Sequence, residues 1–398
     1  MGVKRKTKRN KRLIGMLAIA IFILVSTFAS IDMGRSTPHT NLIDTKISQY
    51  SNRNITPNAI ITNKKFKDIA FESTVPKNYP LKNHMATVVR SFKHWTFFLS
   101  KKEKLIEEKG TWLWTPTMQM TEEYMDSIIQ GAKENNINTI YLSIDSYLDI
   151  FSMPEGNEKN KQKELFSEKL TYFIAEANKM GIEVDAEAGW KNWAENEHTY
   201  KPFTIVGFVK EFNSKNKIGF RGFQYDIEPY LLENYETEKD LVLKNFVALV
   251  DQTQSFLEDT DIKFSVVIPS FFDKKDKLTP KFSYGGNADY VFGHIMNILE
   301  RRDGGSIIIM SYRNFALGDD GAIAISKNEM RTARSRAYDT KVIIAQETSD
   351  VPPPYITFHR TSKDHFLDQV SKIRNAFDSY NNFGGIAVHF ANSYLALE

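Results

Sequence analysis

The sequence predicts an α/β fold of eight parallel strands, and three observations lead to it. Short runs rich in β-branched and aromatic residues recur eight times between residues 111 and 390. Amphipathic helical segments occupy most of the gaps between them, which is the pattern of parallel βαβ units. Eight such units predict a closed (β/α)8 barrel, the TIM barrel. The alternative is an open doubly wound sheet, but the sequence lacks the glycine-rich phosphate loop that would support it.

The predicted strands begin, in chain order, near residues 111 (TWLW), 139 (TIYLSI), 183 (EVDAEA), 222 (GFQYDI), 263 (KFSVVI), 306 (SIIIMS), 341 (KVIIAQ) and 385 (GIAVHF). Amphipathic spacing predicts helices for EEYMDSIIQGAKENN, KELFSEKLTYFIAEANKMG, EKDLVLKNFVALVDQTQSFLED and SKDHFLDQVSKIRNAFDSYNN. The sequence ends just after the eighth run. We therefore expect a helix near residues 84–108 to cover the position of the eighth helix.

The N-terminal residues have the pattern of a membrane-targeting segment. Residues 1–12 hold seven Lys and Arg and no acid, and residues 13–31 carry no charge. About 20 apolar residues can span a bilayer as a helix, and the basic flank then stays in the cytoplasm. We expect residues 1–31 to be a single-pass signal-anchor of the cell membrane, with the barrel on the extracellular side. Cleavage at Thr27-Phe28-Ala29 would instead release a secreted protein.

Composition limits the remaining functions. Residues 32–83 are rich in Ser, Thr, Asn, Pro and Lys and are predicted to be a linker or extended arm, which leaves residues 84–398 for the barrel. The chain has no cysteine, which excludes disulfides and Cys-ligated metals. Acids outnumber bases after residue 12, which argues against a nucleic-acid partner. His359, His365 and His389 lack the spacing of metal ligands, so neither a metal nor a cofactor is predicted.

Active sites of such barrels are built at the carboxyl ends of the strands, so the residues there are the candidates. Acids gather at these ends, together with four of the five tryptophans. Buried charges are costly unless paired, so stability alone does not call for this pattern. The candidates are Trp112, Trp114, Asp145, Asp185, Glu187, Trp190, Trp193, Gln224, Asp226, Glu228, Tyr230, Tyr312, Arg313, Gln346, Glu347, His389 and Asn392.

The fourth run, RGFQYDIEPY at residues 221–230, gives the strongest signal. Gln224, Asp226 and Glu228 alternate with apolar residues and therefore share one face of a strand. Aromatic rings and carboxylates at a barrel mouth suit sugar binding and acid/base cleavage of glycosidic bonds. We expect Asp226 to raise the pKa of Glu228 by like-charge repulsion, which would keep Glu228 protonated as a general acid requires.

Structural roles stay open for other candidates. They are core packing for Trp112 and Tyr312, helix capping or ion pairing for Asp145 and Asp185, charge balance for Arg313, and a strand-end hydrogen bond for His389.

The fourth run resembles the strand-4 motif of family-18 chitinase-like glycoside hydrolases, D-x-x-D-x-D-x-E. Asp226 and Glu228 match its last two positions, whereas Arg221 and Gln224 replace the first two acids. The resemblance implies that Glu228 is the general acid and that Asp226 orients the acetamido group of the substrate.

Two other runs extend this resemblance. Met310-Ser311-Tyr312 matches the M-x-Y of strand 6, and Gly384-Gly385 matches the start of strand 8. His389 or Phe390 stands near the position where the family usually has Trp. The family mechanism implies that the substrate's own N-acetyl group attacks, helped by Asp226 and Tyr312.

A second resemblance is to the large clan of retaining hydrolases with an acid/base Glu after strand 4, often as N-E-P, and a nucleophilic Glu after strand 7. Ile227-Glu228-Pro229 and Gln346-Glu347-Thr348 occupy these places, with Ile227 where the clan has Asn. This resemblance implies that Glu347 is the nucleophile, and the choice between the two mechanisms stays open.

The features together predict an exported, membrane-anchored glycoside hydrolase that acts on a cell-surface or extracellular polysaccharide, with an amino-sugar polymer favoured by the first resemblance. Substrate-binding roles are predicted for Trp114, Asp145, Glu187, Trp190, Gln224, Tyr230, Arg313 and His389. The alternatives are a non-catalytic glycan-binding barrel, which Gln224 and the missing strand-8 Trp would suit, and a scaffold of an envelope assembly.

Overall fold

A closed parallel barrel forms the centre of the protein. The computed structural model describes residues 107–273 and 279–398. Each barrel strand pairs with the next along the chain, and the last pairs with the first. The strands are β1 (Glu108–Leu113), β2 (Thr139–Ser143), β3 (Glu183–Ala188), β4 (Gly222–Tyr225), β5 (Lys263–Pro269), β6 (Ser306–Met310), β7 (Lys341–Glu347) and β8 (Phe383–His389). All eight predicted strands and the TIM barrel are confirmed, and closure excludes the open sheet.

Helices follow the strands around the outside of the barrel. They are α1 (Glu122–Glu134), α2 (Tyr147–Phe151), α3 (Asn157–Lys179), α4 (Tyr200–Lys215), α5 (Tyr235–Phe256), α6 (Val291–Leu299), α7 (Ala322–Arg336), α8 (Lys363–Phe377) and α9 (Ala391–Leu395). The four helical segments named from the sequence correspond to α1, α3, α5 and α8. A small antiparallel hairpin, Phe282–Tyr284 with Asn287–Asp289, lies between β5 and α6.

Local chemistry sets several helix ends. The Thr121 hydroxyl accepts a hydrogen bond from the Tyr124 amide at the start of α1, and the Ser362 hydroxyl accepts one from the His365 amide at the start of α8. Such caps satisfy amides that have no partner within the helix. In α1 the buried residues are Met125, Ile128, Ile129 and Ala132, which is the spacing that turns one face toward the barrel.

Several N-terminal predictions fall on residues that are not described. The signal-anchor at residues 1–31, the linker at 32–83 and the helix at 84–108, apart from its last two residues, lie outside the described part of the chain. Glu108, the last residue of that predicted helix, is instead the first residue of β1. Within 107–273 and 279–398, no helix is both long and apolar enough to cross a membrane.

The middle of the barrel is filled by side chains that bond across it. The Trp112 indole N–H on β1 donates to the amide oxygen of Gln224 on β4 at 2.7 Å, and the Gln224 amide donates to the Ser265 hydroxyl on β5 at 3.3 Å. The Trp112 ring also lies 4.9 Å from the ring of Tyr141. Trp112, Tyr141 and Gln224 are at most 1% exposed. The barrel is therefore a packed core and not a channel.

An ionic network closes the amino-terminal end of the barrel. The guanidinium of Arg221 lies 2.5 Å from an Asp185 oxygen and 2.9 Å from a Glu108 oxygen, and Tyr141 donates to the other Glu108 oxygen at 2.5 Å. A Cβ on Gly110 would lie 2.4 Å from the Tyr141 hydroxyl, so only glycine leaves room for this tyrosine. Arg221, at the first motif position, therefore has a structural role, and Asp185 is its ion-pair partner.

We expect Arg221→Met to destabilise the folded protein by about 3–5 kcal/mol, because it leaves the buried Asp185 carboxylate without its cation. Equilibrium unfolding in denaturant measures the change. The control is Lys215→Ala, which removes an exposed ion pair with Glu211 and should alter stability by no more than about 0.5 kcal/mol. Equal small effects of both substitutions would show that the network does not stabilise the barrel.

Candidate active site

The candidate residues lie at the opposite, carboxyl-terminal rim. Parallel strands end at the same edge, so residues far apart in sequence meet there. The group comprises Trp114 after β1, Asp145 after β2, Glu187 in β3, Trp190 after β3, Asp226, Glu228 and Tyr230 after β4, Tyr312 after β6, Glu347 at the end of β7 and His389 at the end of β8.

Three acids form what we call the acidic cluster, which consists of Asp145, Glu187 and Asp226. Glu187 is fully buried, and burial followed by the charges of the other two raises its pKa well above the ordinary value. Burial also raises the pKa of Asp145 and of Asp226 to about 7. One oxygen each of Asp145 and Asp226, and both of Glu187, make no hydrogen bond of normal geometry within the described residues, although the Ser143 hydroxyl lowers the pKa of Glu187.

A glycine brings the acidic cluster together. A Cβ added to Gly189 would lie 1.9 Å from the backbone oxygen of Asp226, so the turn after β3 can approach β4 only with glycine here. The backbone of Gly189 also hydrogen-bonds to Asp145 and lowers its pKa against the larger effect of burial. Sequence reasoning missed Gly189, although a glycine directly after a predicted strand is a signal of close backbone approach.

Glu228 lies beside the acidic cluster and accepts a hydrogen bond from the Tyr230 hydroxyl. Burial raises the pKa of Glu228, while the hydroxyl of Tyr230, which donates to a Glu228 oxygen, and the charge of His389 lower it. The repulsion that we expected between Glu228 and Asp226 raises the pKa of Asp226, whereas the pKa of Glu228 is raised by burial. A raised pKa favours the protonated carboxyl group that a general acid needs.

Two tyrosine hydroxyls stay protonated next to these acids. Burial and the charges of Glu347, Asp226 and Glu228 raise the pKa of Tyr312 well above its ordinary value. Burial and Glu228 do the same for Tyr230. A tyrosine whose pKa is raised remains a hydrogen-bond donor at every physiological pH.

The side chain of Glu347 is held by hydrogen bonds from the two residues that follow it at the end of β7. Its Oε1 accepts hydrogen bonds from the Thr348 amide at 2.8 Å, the Ser349 amide at 2.7 Å and the Ser349 hydroxyl at 2.5 Å. Its Oε2 lies 2.7 Å from Nδ1 of His389. The side chain is only 3% exposed. Thr348 and Ser349 were not among the residues singled out from the sequence.

His389 links Glu347 to an aromatic residue at the rim. The indole N–H of Trp114 donates to Nε2 of His389 at 3.0 Å. The His389 ring also lies 5.8 Å from the Trp112 ring and 6.2 Å from the Tyr312 ring. Burial lowers the pKa of His389, but the charges of Glu347, Asp226 and Glu228 outweigh burial, and the pKa is raised.

Other predicted site residues lie elsewhere. Gln224 is fully buried beneath the rim, with its amide bonded to Trp112 and Ser265, so it does not reach the mouth. Arg313 pairs with Asp320 and lies over the Tyr355 ring. Trp193 is 2% exposed and packs against Tyr225.

Trp190 precedes a short 3-10 helix and is half-buried at the rim. Gln346 is fully buried and donates to the backbone oxygen of Ser311, and Asn392 donates to the hydroxyl of Tyr124.

One further grouping was not anticipated. Glu195, Glu197 and His198 place potential metal-ligand atoms within 4.8 Å of one another in the segment between β3 and α4. Burial and the charge of Lys201 lower the pKa of His198, which favours the neutral imidazole. The three histidines considered from the sequence take no part in this grouping.

Comparisons with known proteins concern the barrel. No protein-family model and no curated protein matches the chain. Among solved structures, it is similar to an endo-beta-1,4-mannanase from Thermotoga petrophila, with 14% identity over 73% of this chain and 68% of that one and a TM-score of 0.47. It is also similar to a GH18 chitinase from Pseudoalteromonas aurantia, with 13% identity, 73% and 97% coverage and a TM-score of 0.44.

A third similar structure is the spore cortex-lytic enzyme SleL from Bacillus megaterium QM B1551, with 14% identity, 73% coverage of each chain and a TM-score of 0.41. These three similarities concern the barrel fold alone.

We expect Asp145→Asn to stabilise the protein, and to do so by more at pH 8 than at pH 5. The pKa of Asp145 is raised from 3.8 to about 7 by folding, so the folded state binds more protons and stability falls as pH rises between these values. Every tenfold difference between the folded and unfolded acid dissociation constants corresponds to about 1.4 kcal/mol. Thermal unfolding at the two pH values measures the change, with Asp240→Asn, at an exposed acid in α5, as the control. A wild-type protein that gains stability from pH 5 to pH 8 would contradict this.

Proposed function

We propose that the protein is a glycoside hydrolase that cleaves an extracellular amino-sugar polysaccharide, with Glu228 as general acid and then general base. The observation that carries the proposal is the environment of Glu228. Its carboxyl group is withdrawn from water at the barrel rim, its pKa is raised, and Asp226, whose pKa is about 7, lies beside it. Two carboxyl groups with different environments are what glycosidic cleavage requires.

The chemistry begins with proton transfer. Glu228 gives its proton to the glycosidic oxygen as the bond to the anomeric carbon breaks, and the resulting carboxylate then removes a proton from the attacking water. The tyrosine hydroxyl that donates to Glu228 stabilises this carboxylate once it forms. The acidic cluster next to it can hold the protons that the site exchanges with solvent, because two of its members titrate near neutral pH.

We further propose that the substrate's acetamido oxygen is the nucleophile, oriented by Asp226 and Tyr312. Asp226 has an oxygen without a hydrogen-bond partner in the described structure, which can accept from the acetamido N–H. The Tyr312 hydroxyl stays a donor and can hold the acetamido carbonyl. Glu347, the other candidate, already accepts four hydrogen bonds. This favours the substrate-assisted mechanism over an attack by Glu347.

The alternative is a non-catalytic glycan-binding barrel. Gln224 and the missing strand-8 Trp suggested an eroded catalytic motif, and the Gln224 amide is bonded inside the barrel to the Trp112 indole. The extracellular location and the membrane anchor rest on residues 1–31 and are part of the proposal, as is the polysaccharide substrate.

We expect Glu228→Gln to lower the rate of glycan cleavage by about 10²- to 10⁴-fold, which is the usual contribution of general acid catalysis. The full-length chain in detergent is offered chitin oligomers, peptidoglycan, poly-N-acetylglucosamine, polygalactosamine and β-glucans, and products are followed by mass spectrometry. Glu233→Gln is the matched control, since Glu233 is exposed five residues further on. If the wild type binds a glycan saturably but does not cleave it, the proposed hydrolase activity is contradicted and a binding module is favoured.

We expect cleavage to require the N-acetyl group. A polymer that the enzyme cleaves should become resistant after chemical de-N-acetylation, because the internal nucleophile is then absent. A 5-fluoro glycoside that keeps the 2-acetamido group of the same sugar should leave no covalent adduct in the intact protein mass. An adduct that peptide mapping places on Glu347 would establish the enzyme as a hydrolase but overturn the substrate-assisted mechanism.

A further inference from the structure

We propose that Glu347 is a positioning residue that fixes His389 in the tautomer protonated at Nδ1, and that His389 in turn fixes the Trp114 indole as a sugar-stacking wall of the site. The sugar-stacking part rests on the proposed function, whereas the order Glu347, His389, Trp114 rests on hydrogen bonds alone.

The first step is the state of the Glu347 carboxylate. Oε1 receives three donors and Oε2 faces the imidazole, so the negative charge is shared among four hydrogen bonds. A carboxylate has about four acceptor positions in total. With a side chain that is 3% exposed, Glu347 is built to hold its neighbour in place.

The second step is the proton of His389. An indole N–H only donates, so Nε2 of His389 must be the acceptor from Trp114 at 3.0 Å. A neutral imidazole carries one proton, which therefore lies on Nδ1 and donates to Oε2 of Glu347 at 2.7 Å. In the neutral ring, the donor and the acceptor of both hydrogen bonds, from Trp114 to His389 and from His389 to Glu347, are thereby fixed.

The third step is the backbone that holds the pair. Glu347 and His389 are register partners on the adjacent strands β7 and β8. The amide and the hydroxyl of Thr348 both donate to the His389 carbonyl at 2.8 Å. The Thr348 hydroxyl also lies 2.7 Å from the Ser393 hydroxyl in α9. The carboxylate and the imidazole are therefore fixed on a rigid part of the barrel.

The hydrogen bond to His389 determines which surface Trp114 can offer to a ligand. Its single polar atom is used by His389, so the half-buried ring can offer a ligand only apolar surface. Such a surface suits the C–H face of a sugar ring. Trp114 should therefore affect substrate binding more than the chemical step.

The Glu347→Gln variant tests whether Glu347 determines the tautomer of His389. The glutamine oxygen should take the place of Oε1, where three donors point, so its NH2 group faces Nδ1 of His389. Nδ1 must then accept, the proton moves to Nε2, and this N–H opposes the N–H of Trp114. The variant keeps the size of the side chain but reverses the tautomer.

The measurement is ¹⁵N NMR of the histidine side chains in the full-length protein without substrate, with the His389 signals identified by their loss in His389→Gln. At a pH above the raised pKa of His389, where the ring is neutral, we expect a protonated Nδ1 and a bare Nε2 in the wild type, and the reverse in Glu347→Gln. Asp350→Asn, at an exposed acid three residues further on, should leave the wild-type pattern unchanged. A proton on Nε2 in the wild type, or an unchanged tautomer in Glu347→Gln, would overturn the proposal.

Kinetics on the glycan that is cleaved separates positioning from nucleophilic attack. We expect Trp114→Phe and Glu347→Gln to raise KM by about tenfold, the equivalent of about 1.4 kcal/mol of stacking, with kcat nearly retained. A loss of kcat by several orders of magnitude in Glu347→Gln, with an unchanged KM, would make Glu347 the nucleophile. The NMR result does not depend on substrate, so failure of the proposed hydrolase and failure of this inference are distinguishable.

Discussion

Withdrawal of acidic groups from water is the constraint on which the structure depends. The barrel interior is packed, so a carboxyl group that points inward must find a cation, accept several hydrogen bonds or keep its proton. The protein uses all three solutions. At the amino-terminal end Arg221 forms ion pairs with both Asp185 and Glu108. At the other end Glu347 accepts four donors, and the acidic cluster has no cation bonded to it within the described residues and has raised pKa values.

This division explains why the two ends differ in function. The acids at the amino-terminal end are paired with Arg221, whereas Asp145 and Asp226 at the other end have pKa values of about 7 and can exchange protons near neutral pH. Glu228 lies next to the second group, together with tyrosines that remain donors. The barrel thus provides a stable base at one end and acid/base chemistry at the other, as (β/α)8 barrels generally do.

The sequence predicted the strands and the rim because both are local properties. Runs such as SIIIM and KVIIAQE have a β-rich composition that marks β6 and β7, and the rule for parallel barrels then places Asp226, Glu347 and His389 at one edge. The hydrogen-bond and ion-pair partners of such side chains lie far away in the sequence. Arg221 pairs with a residue 113 positions away, Trp112 bonds to one 112 positions away, and Trp114 bonds to one 275 positions away. No local pattern carries such information, so the sequence did not reveal that the Gln224 amide bonds to Trp112 and Ser265.

Infrared spectroscopy of the carboxyl groups during a pH titration tests the central claim most directly, since a protonated carboxyl group has a carbonyl band distinct from that of a carboxylate. The account predicts a protonated band that persists to near pH 7, where Asp226 titrates, and that is weaker in Asp226→Asn. Complete ionisation of all carboxyl groups below about pH 5, as for ordinary Asp and Glu side chains, would contradict it.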